Sequence, residues 1–212
     1  NFAPMNQLLG LFKYGRGDVP PLQKLDEQES GRTVAVVPGA FKPPHKGHLE
    51  VVKEYLAMKD VEKIYIIFGR SVRKSDDGSV IVGDQLSKQA WELYLSSIGS
   101  PNNVEIITDF KGSPLAKAAS MAFDEELKGM RITAGFTPKE PTYGKRFLDV
   151  VRSMERTKGP ALAQPITLPA ETNVPTISAT KLRNALADGD ANSVRKMIPD
   201  EVSVEEYISL FK

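Results

Sequence analysis

Short apolar runs alternate with segments of helical periodicity along most of the 212-residue chain. The two strongest runs cover residues 34–37 and 64–68, are rich in β-branched side chains, and end at Pro38-Gly39 and at Gly69. This pattern predicts buried strands bounded by turns. Three weaker runs predict further strands over residues 104–107, 132–134 and 166–168.

Between the strands, apolar residues recur every three or four positions, as on one face of a helix. Four such segments contain Leu49, Val52 and Leu56; Leu86, Ala90 and Leu93; Leu115, Ala118, Ala119, Ala122 and Phe123; and Phe147, Val150, Val151 and Met154. Parallel neighbouring strands need a crossover connection, which a helix supplies. The alternation therefore predicts an α/β fold with a mainly parallel, five-stranded sheet and flanking helices.

The two ends of the chain follow different patterns. Leu182, Leu186, Val194 and Ile198 predict two short helices separated at residues 188–190, which would form a small C-terminal helical cap. Residues 1–32 combine one short apolar cluster with a polar, proline-containing stretch, so we interpret them as an N-terminal arm or linker. Residues 33–212 are then expected to form one domain that includes the C-terminal helices.

Charge and composition narrow the classes of partner. The 28 basic and 27 acidic residues give a net charge of +1, and basic residues are not interleaved with aromatic ones, which argues against a nucleic-acid partner. The sequence contains no run of about 18 apolar residues, which is the length that a membrane-spanning helix requires. The absence of cysteine excludes disulfides and thiolate chemistry, and we expect a cytoplasmic protein. Because the chain begins with Asn1, we also expect a processed product or a fragment.

The first segment with candidate chemistry lies between the first predicted strand and the first predicted helix. Loops at this position border the binding crevice of open parallel sheets. Gly39 and Gly47 allow close backbone approach, and the amides of a first helical turn attract anions. His45 and His48 are the only histidines and face the same side of that turn. Surface or capping histidines are the alternative, and a zinc site lacks a nearby third ligand.

A second helix start lies late in the chain, over residues 177–183. Ser178 and Thr180 are common N-cap residues and could have only that role. Their hydroxyls nevertheless converge with backbone amides, Lys181 and Arg183 on one helix N-terminus. Such a set of donors and positive charges suits the far end of a triphosphate.

Together the two segments resemble the nucleotidylyltransferase superfamily, which has a G-x-F-x-P-x-H-x-G-H loop after its first strand and a later I-S-x-T-x-x-R segment. The resemblance covers about residues 33–190. It implies a Rossmann-like sheet and a direct displacement at the α-phosphorus of a nucleoside triphosphate, with release of pyrophosphate. The matching residues are Gly39, Phe41, Pro43, His45, Gly47 and His48 in the first motif, and Ile177, Ser178, Thr180 and Arg183 in the second.

The resemblance also implies roles for individual residues. His45 and His48 would contact the α-phosphate, Thr180 and Arg183 would hold the β- and γ-phosphates, and Mg²⁺ would be carried by the triphosphate with few or no protein ligands. Lys42 stands where many relatives have an acid or an amide, and would add positive charge near the transferred phosphate. The candidate catalytic residues are His45, His48, Lys42 and Arg183, and the candidate nucleotide-binding residues are Gly39, Ala40, Phe41, Gly47, Gly135, Ser178 and Thr180.

The expected function is transfer of AMP from ATP to a small phosphorylated acceptor, and the first motif is most similar to nicotinamide-mononucleotide adenylyltransferases. Pantetheine-phosphate adenylyltransferases often lack the first histidine. A cytidylyltransferase acting on a polyol or choline phosphate is one alternative. A non-catalytic nucleotide-binding or structural module, attached to a larger assembly through the N-terminal arm, is another. The expected partners are the small-molecule substrates and either a second copy of the chain or a protein on which the arm docks. The basic segment over residues 69–74 either binds the acceptor's phosphate or is a solvated loop.

Overall fold

The computed structural model of the protein describes residues 32–212. The arm predicted over residues 1–32 lies outside the described residues, except for Arg32 at its end. The described strands are β1 (Thr33–Pro38), β2 (Val61–Ile67), β3 (Arg73–Lys74), β4 (Ile81–Val82), β5 (Val104–Ile107), β6 (Arg131–Ala134) and β7 (Gln164–Ile166). The α-helices are α1 (Lys46–Ala57), α2 (Asp84–Ser97), α3 (Pro114–Ser120), α4 (Pro141–Lys158), α5 (Ala179–Ala187), α6 (Ala191–Met197) and α7 (Val204–Ser209).

Five strands form one sheet in the order β5-β2-β1-β6-β7, and every neighbouring pair is parallel. The predicted five-stranded parallel sheet with flanking helices is thus confirmed. The chain runs outward from β1 through β2 to β5, and then returns to place β6 on the other side of β1. The strand order therefore reverses between β1 and β6. The carboxyl ends of these two strands flank the point at which such folds bind ligands.

The core lies on both faces of this sheet. β1 is buried along its whole length, and its side chains alternate between two hydrophobic clusters. Ala35 and Val37 belong to the cluster that includes residues of α1, α2 and the C-terminal helices, whereas Val34 and Val36 belong to the cluster that includes α3 and α4. Burial of both faces explains the continuous β-branched run in the sequence, because a strand of this kind has no polar side.

Three features differ from the sequence-based expectations. β7 is Gln164–Ile166 rather than residues 166–168, because the Leu168 amide donates to the Thr133 hydroxyl instead of continuing the ladder. β3 and β4 form an antiparallel hairpin where the apolar pattern predicts no strand. The C-terminal cap contains a third helix, α7, whose N-cap Ser203 accepts a hydrogen bond from the Glu206 amide.

Candidate functional site

A cavity of about 450 Å³ lies at the switch point of the sheet. Three segments meet around it: the loop between β1 and α1, the loop between β6 and α4, and the long connection between β7 and α5. A smaller cavity of about 220 Å³ shares His48, Val51, Thr137 and Glu140 with it and extends between Gly39 and Gly135. The larger cavity is lined by His45, Gly47, His48, Val51, Thr137, Lys139, Glu140, Thr172, Val174, Pro175, Thr176 and Ile177.

The two histidines form a stacked pair at the start of α1. His45 is the N-cap residue, and its ring lies 3.5 Å from that of His48 between centroids, at 21°. The backbone amide of His45 donates to Nδ1 of His48 over 3.1 Å, which closes the first turn. A Cβ added to Gly47 would lie 3.1 Å from two atoms of the His45 ring. Glycine is therefore the residue that leaves room for this stacking.

Both imidazoles are neutral at pH 7. Burial lowers the pKa of His45 to about 4. Burial, followed by repulsion from His45 in its protonated form, lowers the pKa of His48 well below its usual value. Because Nδ1 of His48 accepts a hydrogen bond, its proton lies on Nε2. Nδ1 of His45 is buried and has no hydrogen-bond partner among residues 32–212. The pair thus offers neutral N–H donors at a helix start, which suits an anionic ligand.

Phe41 gives the loop before α1 its shape. It has a left-handed backbone conformation, with φ of 49°, and its ring meets those of His48 and Trp91 edge-on at 4.7 and 5.2 Å. A Cβ on Gly39 would lie 2.5 Å from the Phe41 ring, so glycine is needed there. Trp91 is fully buried, so the ring of Phe41 packs against the core.

Lys42 is turned into the protein. Its side chain is 1% exposed, and its ammonium group donates to the carbonyls of Ala40 (3.0 Å) and Gly69 (3.1 Å). The same ammonium lies 4.7 Å from the centroid of the Phe68 ring. Burial lowers the pKa of Lys42 to about 8, against the opposing effect of Asp84. Lys42 therefore joins the ends of β1 and β2 beneath the loop.

The start of α5 is tied to the same loop. Ser178 is its N-cap and accepts from the Lys181 amide over 3.3 Å. The guanidinium of Arg183 is nearly buried and donates to the Thr180 hydroxyl (3.0 Å), to the Lys42 carbonyl (2.5 Å) and to the Lys74 carbonyl (2.9 Å). Arg183 thus connects the two sequence motifs and the β3–β4 hairpin.

Gly135 lines the smaller cavity on the side opposite Gly39. A Cβ there would lie 2.9 Å from a methyl group of Val37, and the Gly135 amide donates to the Val36 carbonyl over 2.6 Å. Close approach to β1 therefore accounts for this glycine. The neighbouring Phe136 ring would lie 2.7 Å from a Cβ on Gly144, which shows equally tight packing of this loop on α4.

The basic residues of the segment after β2 have different contacts in the structure. Arg70 is exposed and pairs with Asp109 at 2.5 Å, and Lys74 offers its carbonyl to Arg183. Arg73 is also exposed, and its positive charge lowers the pKa values of Lys42 and Arg183 after the larger effect of burial. Arg73 is thus the cation of this segment that acts electrostatically on the two motif residues.

Several polar residues that the sequence analysis did not single out hold the site together. Ser87 and Tyr94 of α2 donate to the carbonyls of Phe41 (2.5 Å) and Pro44 (2.8 Å). Tyr143 of α4 donates to the Pro38 carbonyl (3.2 Å), and Tyr55 of α1 donates to Leu168 (2.6 Å). These residues lie on buried helix faces, where periodicity indicates core packing but not the carbonyl that a hydroxyl reaches.

The lining supplies few ligands for a cation. Glu140 is its one carboxylate among the described residues, and within residues 32–212 no group of three or more His, Asp or Glu side chains is arranged to hold a metal ion. Over the same residues, no helix is both long and apolar enough to cross a membrane. The donors that converge on the cavity are imidazoles, amides and cations.

Two known proteins that are similar to this chain, one in sequence and one in fold, both have adenylyltransferase in their names. A phosphopantetheine adenylyltransferase from Mycoplasma capricolum is 28% identical over 124 residues, which cover 58% of this chain and 77% of the relative. A bifunctional NMN adenylyltransferase/ADP ribose pyrophosphatase from Francisella tularensis superposes with a TM-score of 0.54 at 16% identity, over 85% of this chain and 48% of that protein. The chain resembles the nucleotidylyltransferase superfamily. No family model matches it.

The likeness to the solved nucleotidylyltransferases concerns the fold. The Francisella tularensis protein has also been solved in complex with AMP and a manganese ion, and this second structure aligns with a TM-score of 0.54 at 15% identity over 85% of this chain and 49% of that protein. The chain therefore spans about half the length of this bifunctional protein. The curated relative is an adenylyltransferase, a nucleotidyltransferase of EC 2.7.7 type.

Proposed function

We propose that the protein is an adenylyltransferase that transfers AMP from Mg²⁺-bound ATP to a small phosphorylated acceptor and releases pyrophosphate. The observation that carries the proposal is the convergence of the stacked histidine pair and the segment leading into α5 on one cavity at the switch point. The curated adenylyltransferase relative and the fold shared with the Francisella tularensis protein support the same class.

The reaction is a displacement at the α-phosphorus. A phosphate oxygen of the acceptor forms a new bond to that phosphorus, the bond to the bridging oxygen of the β-phosphate breaks, and pyrophosphate takes the electron pair. A phosphate monoester is already ionised at neutral pH, so the acceptor needs no general base. The protein's task is then to position the reactants and to stabilise negative charge on the equatorial oxygens.

The histidine pair meets this demand. His48 Nε2–H and the amides of the first turn of α1 would donate to the α-phosphate as charge develops on it. His45, with its own unpartnered nitrogen, would contribute a second donor from the stacked ring. Lys42 would add positive charge from beneath the loop, without reaching the nucleotide, because its donors are directed at two carbonyls.

The start of α5 would hold the rest of the triphosphate. Ser178 and Thr180 are exposed at this helix start, and Arg183 places a cation directly behind them. Since carboxylates are scarce around the cavity, the oxygens of the triphosphate and water would coordinate most of the Mg²⁺ shell. Ala40, Phe41 and Gly39 would line the path between the two helix starts, and Gly135 would face the nucleoside.

Two acceptors are favoured by specific observations. Nicotinamide mononucleotide is favoured by the resemblance of the first motif, which has both His45 and His48, and phosphopantetheine by the name of the curated relative. Arg73 would attract the phosphate of either, because its charge already acts on Lys42 and Arg183. The acceptor's phosphate would then reach the α-phosphorus from the side of β2.

The test measures pyrophosphate release with Mg²⁺ and ATP or CTP, against nicotinamide mononucleotide, 4′-phosphopantetheine and choline phosphate. His48→Asn keeps an acceptor near the Nδ1 position but removes the donor at Nε2, whereas His48→Gln keeps a donor near Nε2. We expect wild-type release with ATP and one acceptor, and a loss of kcat of about 100-fold in His48→Asn. His48→Gln should retain more activity than His48→Asn.

Lys88→Met, a change on the exposed side of α2, serves as the matched control. Release with CTP alone would replace the adenylyltransferase by a cytidylyltransferase. Absence of release with every pair, in a protein that still binds ATP, would refute catalysis with these acceptors and favour a non-catalytic nucleotide-binding module.

A further inference from the structure

Tyr55 joins α1 to the two loops on the far side of the cavity. It lies seven residues after His48 and therefore on the same helix face, about 10 Å farther along α1. Its side chain is fully buried, and its hydroxyl donates to the Leu168 carbonyl over 2.6 Å. The same hydroxyl accepts from the Phe136 amide over 3.4 Å. Phe136 is the second residue after β6 and Leu168 the second after β7, so one phenol binds the beginnings of both loops.

Two further hydrogen bonds close this buried network. The Ala170 amide donates to the Phe136 carbonyl over 2.7 Å, and the Leu168 amide donates to the Thr133 hydroxyl over 3.1 Å. Burial raises the pKa of Tyr55, so the phenol remains protonated and continues to donate. Tyr55 is the member of the network that comes from outside the sheet and its loops.

The loops that start here form the wall opposite the histidines. One continues through Thr137 and Glu140, and the other through Thr172 and residues 174–177. They meet again farther out, where the Lys139 ammonium donates to the Val174 carbonyl over 3.2 Å. Helix α1 thus has His48 at one end of the cavity and holds the opposite wall through Tyr55 at its other end.

We propose that Tyr55 is a positioning residue that sets the distance between the histidine pair and the loops facing it, and thereby the fit of the nucleoside triphosphate. The part of this inference that concerns the nucleotide rests on the proposed function. Tyr55 lines neither of the two cavities described above, so its hydroxyl acts on the site through the two loops. Loss of that hydroxyl leaves the carbonyl of the half-buried Leu168 without its donor, which favours displacement of the loop.

The test compares Tyr55→Phe with Tyr207→Phe. Tyr207 is equally buried, stacks on Tyr94 at 5.8 Å between centroids, and lies in α7 away from the cavity lining. In Tyr55→Phe we expect faster amide hydrogen exchange in residues 134–138 and 168–178, and a KM for ATP raised about tenfold with kcat kept within about twofold. The KM for the acceptor should not change. Tyr207→Phe should alter none of these quantities.

Thr133→Val provides a second variant, because it removes the acceptor of the Leu168 amide without changing Tyr55. Faster exchange in residues 168–178 of this variant would support the network independently. Equal exchange of both loops in Tyr55→Phe and Tyr207→Phe would overturn the positioning role. If the wild-type protein neither binds nor turns over ATP, the proposed function fails, whereas the exchange comparison in the protein alone still tests the role of Tyr55.

Discussion

The neutral state of His45 makes a quantitative prediction about acid stability. In the unfolded chain this histidine binds a proton near its ordinary pKa of 6.5, whereas in the folded protein burial lowers that pKa to about 4. Between these values the unfolded state binds more protons. The free energy of unfolding should therefore fall as the pH falls from 6.5 towards 4. Above pH 6.5, protonation of His45 no longer lowers the free energy of unfolding.

The magnitude follows from the two pKa values. Lowering the pH from 7 to 5 should cost about 2 kcal/mol through His45 alone, and His48 should add to this in the same direction. Carboxylates also titrate in acid, so a measurement on the wild-type protein alone does not isolate the contribution of His45. His45→Phe keeps a ring to stack on His48 but cannot bind a proton, and subtraction of the two proteins cancels the carboxylates.

Urea unfolding of both proteins at pH 7 and pH 5 measures the effect. We expect the loss of unfolding free energy between the two pH values to be smaller in His45→Phe by about 2 kcal/mol. Equal losses in the two proteins would show that His45 titrates normally. The neutral donor pair inferred at the start of α1 would then be wrong.

Two further predictions concern the loop before α1. Gly39→Ala places a Cβ 2.5 Å from the Phe41 ring and should lower the unfolding free energy by about 1–3 kcal/mol, whereas Gly69→Ala, with 3.9 Å to the Phe110 ring, should have a much smaller effect. Equal urea midpoints would contradict this packing. Lys42→Met leaves the carbonyls of Ala40 and Gly69 without their donor and should cost about 1–3 kcal/mol in urea unfolding. A change no larger than that of Lys88→Met would show that these bonds do not contribute.

Much of the scaffold could be predicted because its signals are local. The β-branched runs of β1 and β2 have no polar side, and the helical periodicity of α1, α2 and α4 is long enough to be distinctive. The β3–β4 hairpin was missed because two strands of two residues produce no periodicity. Helix α7 was missed although Ser203 and Glu206 have the S-x-x-E spacing of a capping box, a signal that could have revealed it.

The candidate site also contains features with a local sequence signal and features without one. The sequence by itself determined the two motifs and their places at helix starts, since glycine, proline, histidine and hydroxyl residues act on the backbone within a few positions. Only the tertiary structure decided where long side chains end. Lys42 and Arg183 bind carbonyls contributed by other segments, and the hydroxyl of Tyr55 reaches a residue 113 positions away. A hydrogen bond between distant residues depends on how the strands are ordered, and that order is a property of the whole packed sheet.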